Sequence, residues 1–114
     1  MEKQDRRDAI AAYKARKNEG GVFCIRNTVT GRALLNWAVD LKGSENRFAF
    51  AQMTDLCADN ALRDDWKQYG CKAFAFEVLE SIKQKETQTD KEFRDDVQTL
   101  YALWQEKLAD QELY

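Results

Sequence analysis

The chain has 114 residues, 44% of them hydrophobic and 33% charged, with a formal net charge of −2. That is one domain's length, with apolar residues enough for one core. No apolar run nears the roughly 20 residues that cross a bilayer, so a membrane is not an expected partner. Histidine is absent and cysteine numbers three, which removes the commonest zinc ligand and the commonest general base near neutral pH. Cys24, Cys57 and Cys71 show no metal spacing and fit reduced thiols. Met1 to Arg7 has no apolar signal core behind it, so the expected location is cytoplasmic.

Residues 3–18 read as an amphipathic helix with Ala9, Ile10, Tyr13 and Lys17 toward the body, stopped by Gly20-Gly21. Residues 1–18 carry six Lys/Arg against three Asp/Glu, and the remainder twelve against seventeen. An acidic average does not attract phosphate backbones, so charge gives nucleic acid little support beyond a basic strip at the N-terminus. Val22 to Asn27 is rich in β-branched and aromatic residues, Thr28-Val29-Thr30-Gly31 is a turn, and Arg32 to Ala38 returns. Together these predict an antiparallel hairpin over 21–38.

Asp40 is placed to cap a helix over 40–53 whose apolar stripe is Leu41, Phe48 and Met53. Asp59 is placed to cap another over 59–69, with Leu62, Trp66 and Tyr69 on one face and Gly70 as its stop. Residues 73–80 alternate large apolar with small or polar residues, the period of a half-buried strand. Residues 83–91 are polar and read as a loop. Phe93, Val97, Leu100, Trp104 and Leu108 then repeat at helical spacing over 90–109, the clearest periodicity in the chain. The expected fold class is α/β: one domain with a small three-stranded antiparallel or mixed sheet, a hairpin plus one strand, packed by helices.

Five words in this order resemble the GIY-YIG nuclease superfamily, in its small standalone bacterial branch. They are Gly21-Val22-Phe23; Ile25-Arg26-Asn27 through Gly31-Arg32; Ala61-Leu62-Arg63-Asp64-Asp65-Trp66 through Tyr69-Gly70; Phe74-Ala75-Phe76-Glu77-Val78-Leu79-Glu80; and Thr99-Leu100 through Leu103-Trp104 with Glu106-Lys107-Leu108. The resemblance implies metal-dependent hydrolysis of a DNA phosphodiester. Hairpin tyrosines would prime the water, a helix Arg would stabilise the phosphorane charge, and a Glu on the last helix would hold one divalent cation.

By that resemblance Phe23 and Leu34 stand where phenols are expected, and Asn36 stands where a glycine would admit a phosphate, with bulky Trp37 beside it. In Asn46-Arg47-Phe48, Arg47 keeps its chemistry while Phe48 replaces an imidazole. Tyr101 falls at the metal-binding Glu, and a phenol with a pKa of ~10 is a poor ligand for Mg²⁺. Glu77 or Glu80 is the available substitute ligand.

The reading is a nuclease-like domain that has lost cleavage and acts as a binding or interaction module. Asn36, Trp37, Arg26 and Arg32 are its candidate contacts, and DNA, a second copy or another protein its candidate partner. No cofactor is implied, with Mg²⁺ or Mn²⁺ needed only by an active nuclease. The alternatives are an active endonuclease with a relocated site and a non-cutting DNA-binding regulator. The plain reading of Phe23, Leu34, Phe74 and Phe76 is core, that of Arg47 a surface or ion-paired cation, and that of Tyr101 helix packing; an exposed Trp37 would mark an interface.

Overall fold

The computed structural model describes residues 19–114. The helix expected over 3–18 lies outside the described residues. Strand β1 (Glu19–Asn27) pairs antiparallel with β2 (Ala33–Ala38) on one side and β3 (Phe74–Lys83) on the other, giving the sheet order β2-β1-β3. Helices α1 (Leu41–Thr54) and α2 (Arg63–Tyr69) connect β2 to β3, with a short 3-10 turn at Asn60–Leu62 leading into α2, and α3 (Asp90–Lys107) follows β3. Among the described residues no helix is long and apolar enough to cross a membrane.

The sheet is covered on both faces because β1 is apolar in both of its period-2 sets. Phe23 and Ile25 pack with Leu41, Phe48 and Ala51 of α1 and with Leu62, Trp66 and Phe74. Val22 and Cys24 join Ala33 and Leu35 on the opposite face, where Leu100, Tyr101, Trp104 and Leu108 close over them. Phe93 and Val97 complete the buried stripe of α3.

Local signals fix the ends. Thr89 and Glu92 form a reciprocal capping box at the start of α3. The hairpin turn is built on Asn27, which is fully buried. Its side-chain carbonyl accepts from the backbone N–H of Val29 (3.0 Å) and Thr30 (3.3 Å), and its amide donates to the Tyr114 hydroxyl at 3.2 Å. Gly31 closes the turn at φ +83°. Both the N–H and the hydroxyl of Thr28 donate to the Ala73 carbonyl (2.8 and 2.7 Å), tying the turn to the start of β3.

Three details differ from the sequence expectations. Gly20 and Gly21, read from the sequence as a stop, lie inside β1. The β1–β3 register shifts between Val22 and Phe23, where β3 has one residue more. Gly21 sits there at φ +152°, and a Cβ on it would lie 2.0 Å from the Glu80 carbonyl oxygen, so the glycine serves a close strand approach. Met53 is 77% exposed. It lies five residues beyond Phe48, roughly 140° around the helix, and the inward stripe is instead Leu41, Ser44, Phe48 and Ala51. Finally, β3 runs to Lys83, because Glu19 and Gly20 of β1 extend the ladder opposite Lys83 and Ile82.

Candidate functional site

Side-chain alternation decides what faces α1. Phe23 lies opposite Asn36 and Ile25 opposite Leu34, and directly opposed residues share a face. Asp40 then starts α1, its carboxylate accepting from the Gly43 N–H at 3.1 Å. Between this sheet face and α1 lies an open cleft of about 480 Å³.

The cleft brings together Phe23, Leu34, Asn36, Trp37 and Arg47. Its floor is hydrocarbon: the Phe23 and Phe76 rings stack with centroids 4.6 Å apart, and Phe48 leans on Phe76 at 5.9 Å. Arg47 donates to the Ser44 hydroxyl at 3.0 Å, one turn back along α1, and is the cation among the lining residues. Two carboxylates share that lining, Asp40 at the start of α1 and Asp59 beyond its end. Both cap helices, Asp59 accepting from the Ala61 N–H at 2.9 Å. Sequence reasoning saw them only as caps. The signal that places them in the cleft is their position at either end of the helix that forms its wall.

The other candidate residues lie elsewhere. Tyr101 packs on the opposite face of the sheet, against the cluster of Val22, Cys24, Ala33 and Leu35, and its hydroxyl donates to the Leu35 carbonyl at 3.4 Å. Arg26 is paired with Glu77 (Nε to Oε2, 2.8 Å) and donates to the Gly31 carbonyl at 3.1 Å. The Arg26 guanidinium holds the Glu77 carboxyl below its ordinary range. Cys24 donates to the same carboxylate at 3.3 Å, and burial, then Glu77, pushes its thiol up to about 11. Arg32 lies over the Tyr114 ring, 4.4 Å from its centroid. Glu80 accepts from the Trp104 indole N–H at 2.8 Å.

This donor set does not fit a divalent cation. Among the described residues no three His, Cys, Asp or Glu side chains converge, and Tyr101, a phenol, packs on the far side of the sheet from the cleft. Hard cations such as Mg²⁺ need several oxygens in near-octahedral array.

No protein-family model and no curated protein matches the chain. Two solved structures are similar to it. The structure of the catalytic domain of homing endonuclease I-TevI aligns over 81% of this chain and 90% of its own, at 17% identity and a TM-score of 0.58. A mutant of the same catalytic domain aligns over 80% and 84%, at 18% identity and a TM-score of 0.57. The fold is GIY-YIG-like. In this GIY-YIG-like fold the cleft is formed by the same hairpin and helix to which the sequence words pointed. Phe23 and Leu34, the hairpin residues singled out in the sequence, line that cleft with carbon.

Proposed function

We propose that this is a nuclease-like domain that has lost DNA cleavage and uses its cleft as a binding surface. The observation that carries the reading is the cleft floor. Phe23 and Leu34 line it with carbon, so neither can hold or deprotonate a water. Tyr101, at the expected metal position, is turned into the packing of α3 against the sheet. Removing a single preorganised donor from an active site costs roughly 10²–10³ in rate, and here the phenols and the metal carboxylate are missing together.

What remains suits recognition. Asn36 and Arg47 are polar groups set beside apolar Leu34, the mixture found in ligand clefts. The endonuclease neighbours make nucleic acid the first partner to try, and Arg47 is the residue that would meet a phosphate. Two experiments test the reading. Supercoiled plasmid incubated with the protein and Mg²⁺ or Mn²⁺ is expected to stay intact. Nicking that Arg47→Ala abolishes would overturn the loss of cleavage. Titration with a short DNA duplex at low salt, followed at Asn36 and Arg47 by NMR, tests DNA as the partner, and unmoved signals would leave protein as the partner class.

A further inference from the structure

Helix α1 is apolar on both of its sides. Leu41, Phe48 and Ala51 are buried in the core beneath it, while Ala49, Phe50 and Met53 are exposed. Phe50 is 58% exposed, Met53 77%, and Leu56, two residues beyond the helix, 64%. Packing on the sheet accounts for the first set. Nothing among the described residues covers the second. A helix that is apolar all round has two sides to bury, and large apolar residues gathered in one exposed patch mark an interaction surface.

Three features of the patch say what fits it. The first is its line. Lys42, Asn46, Ala49 and Met53 follow one another at i, i+4, i+7 and i+11, the spacing of a single stripe along a helix. Ala49, small and near the middle, lets a second helix come close. The second is its relief. A groove of about 420 Å³ opens beside the stripe, lined by Asn46, Arg47, Phe50, Leu56 and Cys57 among others. The same face carries Met53, a protruding and adaptable side chain able to fill such a groove. The third is charge. Exposed Lys42 lies in the first turn of α1, and exposed Asp55 is its C-cap.

A face with a knob, a hole, a cation at one end and an anion at the other complements itself when turned end for end. Two α1 helices laid antiparallel about Ala49 bring each Met53 to Asn46 and Arg47 of the other copy, at the mouth of its groove. They also bring each Lys42 to the other copy's Asp55. A parallel pair would set Lys42 against Lys42 and Asp55 against Asp55.

We propose that this face is the contact of a two-fold homodimer, α1 on α1. One helix pair and two grooves make a contact below the roughly 800 Å² per partner of a stable interface, so the dimer is reversible and forms at high protein concentration. The cleft lies between α1 and the sheet, on the other side of the helix, so both clefts stay open in the dimer. The inference does not depend on what they bind.

The test uses the full chain. Sedimentation from micromolar to millimolar protein is expected to show a monomer passing to a dimer. Met53→Glu changes an exposed side chain, so its urea midpoint should match wild type, while its dimer dissociation constant should rise by about tenfold or more. Lys42→Glu should weaken the dimer in the same direction by setting like charges together. In a Cys57→Ser background, oxidation should join two copies through Ala49→Cys and leave Gln98→Cys, exposed on α3, unjoined. A chain that stays monomeric at every concentration would overturn the proposal. So would a dimer that survives Met53→Glu unchanged and forms no link at residue 49, since its contact would then lie elsewhere.

Discussion

Asn27→Ala is the most informative single change outside the cleft. The side chain has no exposed surface and makes four polar contacts. Its oxygen accepts from the Val29 and Thr30 N–H groups at 3.0 and 3.3 Å, and its amide donates to the Tyr114 hydroxyl at 3.2 Å and to Asp65 at 3.5 Å. The Tyr114 hydroxyl also donates to Asp65, so the amide joins the hairpin turn to α2 and to the C-terminal residues. A net intramolecular hydrogen bond is worth about 1 kcal/mol, and a buried partner left unmatched costs more. Val29 and Thr30 are exposed and water can satisfy their N–H groups, whereas Tyr114 and Asp65 lose a donor in a half-buried place. The expected loss is roughly 2–3 kcal/mol, or a melting temperature lower by roughly 10 °C or more for a domain near this size. Urea unfolding should show a lower midpoint at unchanged slope. Asn27→Asp keeps the acceptor but sets a second carboxylate beside Asp65, so its penalty should be relieved at acid pH. A loss below about 0.5 kcal/mol for Asn27→Ala would refute the assignment of the turn's order to this residue.

Gly21→Ala should destabilise by more than about 2 kcal/mol, since its Cβ would lie 2.0 Å from the Glu80 oxygen at a φ that side chains avoid; a stability equal to wild type in urea would mean that β3 yields there freely. Glu77→Gln tests the pair with Arg26. The folded carboxyl is held below its ordinary value of 4.5, so its stabilisation is present above that value and is lost as pH falls through the lower folded one. With Glu77's side chain 44% exposed, the loss at neutral pH should stay under about 1 kcal/mol, and urea midpoints followed into acid should flatten in the variant. Alkylation followed by mass spectrometry should mark exposed Cys57 first and Cys24 last, because Cys24 is buried and its thiol is pushed up to about 11. Tyr101→Glu would restore the carboxylate the family resemblance calls for, yet should cost about 2 kcal/mol or more by placing it among Val22, Cys24 and Leu35, and should give no plasmid nicking.

Where local chemistry decides structure, the sequence was readable. The turn after Asn27 needs an Asx acceptor and a glycine, and both stand within five residues of each other. The long last helix announces itself through its apolar repeat and through Thr89 and Glu92. The close approach that Gly21 serves was not legible because it involves Glu80, about sixty residues away, and a glycine pair after a helical pattern also looks like a helix stop. Met53 was misread because it is apolar and lies in a helix, although it points away from the stripe. Phe23, Leu34 and Arg47 were singled out as one set and Asn36, Trp37, Arg26 and Arg32 as another; the first three line one cleft with Asn36 and Trp37, and Arg26 and Arg32 lie outside it. Asp40 and Asp59 escaped because capping already accounts for an Asp at each position. The place of Tyr101 depends on which face of the sheet α3 covers, and no local pattern encodes that.

The sheet order carries a consequence for how the chain comes together. β1 is the middle strand, yet its neighbours reach it by different routes: β2 returns across one tight turn, while β3 arrives only after α1 and α2. During synthesis or refolding one edge of β1 therefore waits with its amides and carbonyls unpaired. Such a waiting edge accepts a matching strand from any molecule. If two copies met in that state, the segment between β2 and β3 would be the hinge of a strand exchange, each copy completing its sheet with the other's β3.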